Sequence, residues 1–120
     1  MKVGEPETAP LLDAHVVEEL RVLIGPDGLR ESIALFLSGA EENLAALREA
    51  QQEDDQKAIA RAAHSLLGSC AIIGARRMAE LAARLEHLAR DGARGDSIAE
   101  LLERLEREYA NTRSALEAEA

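Results

Sequence analysis

Aromatic side chains are nearly missing from this 120-residue chain: Phe36 and Tyr109 are the whole stock, and there is no tryptophan. A β-sandwich core draws on aromatic and β-branched residues, so that architecture is disfavoured. Cysteine is as scarce. The single Cys70 excludes an intrachain disulfide framework and fits a reducing compartment. No apolar run approaches the ~20 residues that span a bilayer, and no signal-peptide core stands at the N-terminus. Basic charge is in deficit, with 14 Lys and Arg against 23 Asp and Glu, for a net charge of −9. Such a surface repels nucleic-acid backbones and anionic membranes. The expectation is a cytoplasmic protein whose partners are other proteins.

The chain is rich instead in Leu, Ala, Glu and Arg, with 47% hydrophobic residues, enough for the core of one all-α domain. Residues 1–10 read as a flexible leader and 11–117 as the domain. Asp13 is a candidate cap for a short first helix carrying Val16, Val17, Leu20, Leu23 and Ile24. Gly25-Pro26-Asp27-Gly28 breaks it. A second helix is predicted from Leu29 to Gln51, with Ile33, Phe36, Leu37, Ala40, Leu44 and Leu47 as its core stripe. Asp54 or Asp55 caps a third helix that ends at Gly74. A fourth runs from Ala75 to Arg90 with Met78, Leu81, Ala82, Leu85 and Leu88 inward, and a fifth from about Ser97 carries Ile98, Leu101, Leu102, Leu105, Tyr109 and Leu116. Four long stripes bury one another most simply as an antiparallel four-helix bundle, with the short helix covering one end.

The third helix is the informative one. At 100° per residue, Ile59, Ala62, Leu66, Cys70 and Ile73 fall within about 60° of the side opposite His64, which therefore points to solvent. Lys57, Ala60, Gly68, Ala71 and Ala75 lie within about 40° of His64. Apart from Lys57 these neighbours are very small, and a mid-helix glycine costs about 1 kcal/mol against alanine. A bare strip around a histidine lets a second protein bring its backbone close to the ring. Imidazole, with a reference pKa of ~6.5, is largely neutral near pH 7 and offers one nitrogen lone pair as a nucleophile. Transfer of a phosphoryl group to such a nitrogen depends mainly on positioning and charge neutralisation, which a partner bearing Mg²⁺ and a lysine would supply.

Other chemistries lack their residues. There is no Glu-x-x-His or His-x-x-x-His metal pair, so no metal or cofactor is expected. There is no Gly-rich phosphate loop for ATP, and Ser65 and Ser69 lack the turn of a hydrolase nucleophile. His15 and His87 read as surface residues, Cys70 as a buried thiol, and the acidic runs Glu41-Glu42 and Glu53 to Asp55 as solvated faces and turns.

The run Ala63-His64-Ser65-Leu66-Leu67-Gly68-Ser69-Cys70-Ala71, followed by Gly74-Ala75, resembles the signature of the histidine phosphotransfer (HPt) domain family, His-x-Leu-Lys-Gly-Ser with a downstream Gly-Ala. The likeness extends through Leu29, Phe36-Leu37, Asp54-Asp55, Met78 to Leu81 and Leu85-Glu86, over roughly residues 11 to 117. The resemblance implies a phosphocarrier without turnover of its own: His64 accepts a phosphoryl group, on Nε2, from a receiver-domain aspartate and passes it to another receiver. It implies Gly68 as the residue that admits the receiver, Mg²⁺ on the partner only, and a monomer that binds transiently over the first three helices. Leu11, Leu12, Val16 and Leu67 are the expected apolar contacts.

The family's lysine three residues after the histidine is Leu67 here. Arg61, one turn before His64, is the candidate substitute cation, with Lys57 a turn further back. The departure keeps open a second reading, an HPt-shaped bundle that binds and regulates a receiver or kinase without being phosphorylated. Both a free-standing carrier and the HPt portion of a hybrid kinase fit the sequence.

Overall fold

A computed structural model describes residues 9–120. Its elements are α1 (Ala14–Gln52), α2 (Gln56–Ile73), α3 (Arg76–Arg90) and α4 (Asp96–Glu119). The helices pack in a ring, α1 on α2, α2 on α3, α3 on α4 and α4 back on α1, with no pairing across the diagonals. This is the expected all-α four-helix bundle, and no strand occurs among the described residues.

The two helices expected at the N-terminus form one element with a sharp kink. Gly25 leaves the helical region at φ 78°, ψ 169°, and helix resumes at Pro26, earlier than the expected Leu29. The reason is local: only glycine takes that φ cheaply, and proline is pre-set for a first helical position, where its missing N–H is not needed. Asp27 and Gly28 are therefore helical. The short arm, residues 14–24, starts at Asp13, whose carboxylate accepts from His15 and Val16 N–H. It lies over the end of the bundle, where Asp13 N–H donates to the Gly74 carbonyl at 2.8 Å and Arg21 reaches the Glu119 carbonyl at 2.9 Å. Val17 is buried and Leu20 half-buried, but Leu23 and Ile24, expected in the same stripe, are exposed. They lie on the last turn before the kink, with less of the bundle to cover them.

Both ends of α2 are set by its sequence. Asp55, of the two candidates, is the cap and accepts from Ala58 N–H at 3.0 Å, while Asp54 takes a left-handed turn at φ 56°. Gly74 ends the helix at φ 85°, and a Cβ there would stand 3.2 Å from the Asp13 carbonyl and from Val16. Conformation and space both require glycine. α3 begins two residues later, Ala75 serving as its cap position, so α2 and α3 form a tight antiparallel pair.

The inner stripes are Ile33, Phe36, Ala40, Leu44 and Leu47 of α1, Met78, Leu81, Ala82 and Leu85 of α3, and Ile98, Leu101, Leu102, Leu105 and Leu116 of α4. Leu37, Leu88 and Tyr109 pack at its edge, half-buried. The Leu, Ile, Phe and Met side chains of the inner stripes contribute about 1.5–3 kcal/mol each on full burial. At the terminus, residues 1–8 of the expected leader lie outside the described residues. Ala9 is not loose: it is buried, and its carbonyl accepts from Arg77 Nε at 3.0 Å. Among the described residues no helix is long and apolar enough to cross a membrane.

Candidate functional site

The buried face of α2 carries Ile59, Ala60, Ala63, Leu66, Cys70 and Ile73. On the helical wheel this face is turned toward α3 relative to the one predicted, because α2 must satisfy two neighbours at once. Two expectations change as a result. Ala62 is half-buried, and Ala63 takes the fully buried place. Ala60, expected in the bare strip, is only 7% exposed. Ala75 is also buried, and it belongs to the α2–α3 turn. Lys57, Gly68 and Ala71 remain on the open surface with His64, and a Cβ built on Gly68 meets nothing within 4 Å.

His64 is on that open surface with its side chain 69% exposed. Its Nδ1 lies 3.2 and 3.1 Å from the two carboxylate oxygens of Glu86, across the gap to α3. A carboxylate can only accept here, so it selects the tautomer with hydrogen on Nδ1 and leaves the Nε2 lone pair free. Among the described residues nothing hydrogen-bonds Nε2. Glu86 is itself held: Arg90 donates through Nε at 2.9 Å and through a second nitrogen at 2.6 Å to Oε2. Its side chain is 14% exposed. That partial burial pushes its carboxyl up, but the hydrogen bonds from Arg90 and His64 outweigh it and hold the carboxyl below its ordinary value.

Two surface features flank His64 along α2. Toward the helix start is an open recess of about 570 Å³ between α2 and the end of α3, lined by Gln56, Lys57, Ala60, Arg61, Ala89, Arg90 and Gly92. It gathers three cations on a chain of net charge −9. Toward the helix end is a groove of about 280 Å³ between α1 and α2, lined by Leu20, Ser32, Leu35, Phe36, Ser69, Ile72 and Ile73. Leu35 and Ile72 on its rim are 71% and 72% exposed. Leu11, Leu12 and Val16, expected as the apolar contacts, are half-buried, with Leu12 packed on the core and Val16 against Gly74. Leu67 is half-buried against the core, so it adds less to the surface than its wheel position implied.

Glu86 and Arg90 escaped the sequence reading as functional residues. A signal existed: Gly74 is a tight reversal, His64 and Glu86 stand at roughly equal distances from it, and Arg90 is one turn beyond Glu86. The remaining chemistry-bearing groups lie elsewhere. His15 and His87 are exposed beside Glu19 and Asp91. Cys70 is fully buried, and desolvation pushes its thiol up to about 12, which keeps it protonated and unreactive. No three His, Cys, Asp or Glu side chains converge as a metal site among the described residues.

Fold and site together define a class: a four-helix bundle presenting one oriented, nucleophilic imidazole on an otherwise open helix face. Comparison with known proteins makes the assignment. The family model of the Hpt domain matches residues 31–115, and the chain belongs to that family, the histidine phosphotransfer domains of two-component systems. Among solved structures it is similar to histidine-containing phosphotransfer protein B (HptB) of Pseudomonas aeruginosa PAO1, at 31% identity and a TM-score of 0.86, over 93% of this chain and 96% of that one. The fold is shared with the histidine-containing phosphotransfer domain of ArcB from Escherichia coli, at 21% identity and a TM-score of 0.76, covering 90% of this chain and 91% of that one. It is also shared with a rice histidine-containing phosphotransfer protein, at 18% identity and a TM-score of 0.74, covering 89% and 79%. No curated protein matches the sequence.

Proposed function

We infer that this chain is a phosphocarrier in which His64 Nε2 takes a phosphoryl group from the aspartyl phosphate of one receiver domain and gives it to the aspartate of another. The observation that carries this reading is the ring itself: exposed, anchored through Nδ1 to Glu86, and bordered by a glycine with open space above it. Exposure alone describes any surface histidine. A fixed tautomer beside a bare helix surface is what in-line attack on a docked partner needs.

The receiver seats its apolar surface in the α1–α2 groove, over Leu35 and Ile72, and passes above Gly68. Lys57, Arg61 and Arg90 then border the phosphoryl oxygens in place of the lysine that Leu67 displaces. Among the described residues Arg61 makes no ion pair, so it is free to turn toward an incoming anion. The receiver brings its own Mg²⁺. Binding is 1:1 and transient, through a surface at the small end of specific interfaces.

Incubation with a receiver carrying labelled aspartyl phosphate tests this. The wild-type chain gains acid-labile label and His64→Gln gains none. Tight receiver binding without label would instead establish the non-phosphorylated regulator, which the loss of the lysine at Leu67 favours. Charge reversal at Arg61 tests the cation: an unchanged transfer rate and phosphohistidine lifetime would remove Arg61 from the site.

A further inference from the structure

We propose that Glu86 keeps the Nδ1 proton on His64 while the ring carries the phosphoryl group, so that the phosphohistidine stays competent to give that group away. The inference rests on the carrier reading and concerns the state after the first transfer.

Consider the atoms. When His64 accepts, the Nε2 lone pair attacks phosphorus and the P–O bond to the donor aspartate breaks, its electrons staying on the carboxylate oxygen. The ring becomes cationic, with hydrogen on Nδ1. When His64 donates, the acceptor carboxylate attacks phosphorus, the N–P bond breaks, and its electron pair returns to Nε2. With Nδ1 protonated, the leaving group is neutral imidazole. With Nδ1 bare, the same cleavage expels an imidazolate anion, a far poorer leaving group. Rings of this type exchange their proton near neutral pH, so an unassisted phosphohistidine divides between a form that gives and a form that holds.

The structure places a carboxylate 3.1 Å from Nδ1, and Arg90 keeps that carboxylate ionised and aimed. An anion at this distance favours the protonated ring, typically by one pH unit or more at about 4 Å separation. Glu86 from α3 hydrogen-bonds the ring, and the charged groups nearest it along the two helices are Arg90 on α3 and Lys57 and Arg61 on α2, which line the adjoining recess. The three cations oppose ring protonation, and Glu86 counters them from the one position that touches the proton. A glutamine could accept the same hydrogen bond but would lack the charge. Glu86 is thus a positioning residue whose charge matters separately from its geometry.

The test uses the full chain with the exposed His15 and His87 changed to Gln, phosphorylated on His64 with phosphoramidate. Loss of the phosphoryl group to water is followed by phosphorus NMR from about pH 5.5 to 9.5, in this chain and with Glu86→Gln added. Nitrogen shifts of the phosphorylated ring report the Nδ1 proton directly. The expected result is a fall in rate, and a loss of the Nδ1 proton, at least about one pH unit lower in Glu86→Gln. Near pH 8.5 the variant then loses phosphate about tenfold more slowly, while near pH 5.5 the two agree. Superimposable profiles and Nδ1 titrations overturn the role of Glu86 and leave the carrier intact. Failure of His64 to hold any phosphoryl group overturns both.

Discussion

Replacing Gly68 should move stability and function in opposite directions. The residue is inside α2, and nothing within 4 Å would meet an added Cβ. Gly68→Ala therefore removes backbone freedom from the unfolded chain without a clash, a gain of about 1 kcal/mol. For a domain of this size the melting temperature rises by about 4 °C. Gly39, also mid-helix with open space at its Cβ, gives the same gain on Gly39→Ala and serves as the stability control. On the proposed docking, transfer responds the other way, because the new atoms enter the space assigned to the receiver's backbone. Inserting groups into a fitted contact costs about 1–3 kcal/mol. Gly68→Ala should slow transfer about fivefold and Gly68→Gln about a hundredfold. Circular dichroism melts and quenched-flow transfer from a labelled receiver read the two effects. A lower melting point for Gly68→Ala would show that the glycine faces packed structure, and wild-type transfer by Gly68→Gln would remove the docking surface from above it.

Leu35→Ser and Ile72→Ser, on the exposed rim of the groove, should each weaken receiver binding by about 1–2 kcal/mol, read by calorimetry, with melting changed by no more than about 0.5 kcal/mol. Equal losses of stability and binding would place these side chains in the fold instead. The single tyrosine permits a clean titration: desolvation and the hydrogen bond that Tyr109 donates to Glu41 push the phenol up to about 12, so absorbance at 295 nm should rise there and not near 10. Because the folded state holds this proton more tightly, its contribution to stability is complete below pH ~10 and is lost as pH rises toward 12. The Thr112 hydroxyl is buried without a partner, so Thr112→Val should raise denaturant stability by about 1 kcal/mol; a loss of that size would mean the hydroxyl is paired.

How much the sequence disclosed depended on whether a feature was local. Asp13, Asp55 and Gly74 act through the backbone within a few residues, and their caps were readable as composition at element ends. The exposure of His64 was equally readable, since a wheel needs only the order of residues along one helix. Ala60 and Ala62 were misplaced because burial depends on where the neighbouring helices stand, and a single wheel assumes one core direction. Leu23 and Ile24 were misread for a similar reason: their spacing fits a stripe, but their turn of α1 ends at the kink before the bundle can cover it. Glu86 and Arg90 required the register between two helices, which follows from the Gly74 reversal only once that reversal is trusted as a hinge of fixed length.

That distinction bears on the missing lysine. A lysine three residues after the histidine is placed by the helix that carries both, and it survives loosening of the bundle. In this chain the arrangement is tertiary: the group that orients the ring and the guanidinium that orients that group both stand on α3. The histidine's competence then depends on how tightly α2 is pressed to α3, through fully buried residues such as Ala63, Leu66, Ala82 and Leu85. A cavity at Leu85→Ala, worth about 2–5 kcal/mol of stability, should therefore slow transfer while His64 remains exposed and the helices remain formed. A carrier whose histidine drew every orienting group from α2 would pass through the same loosening with its rate unchanged.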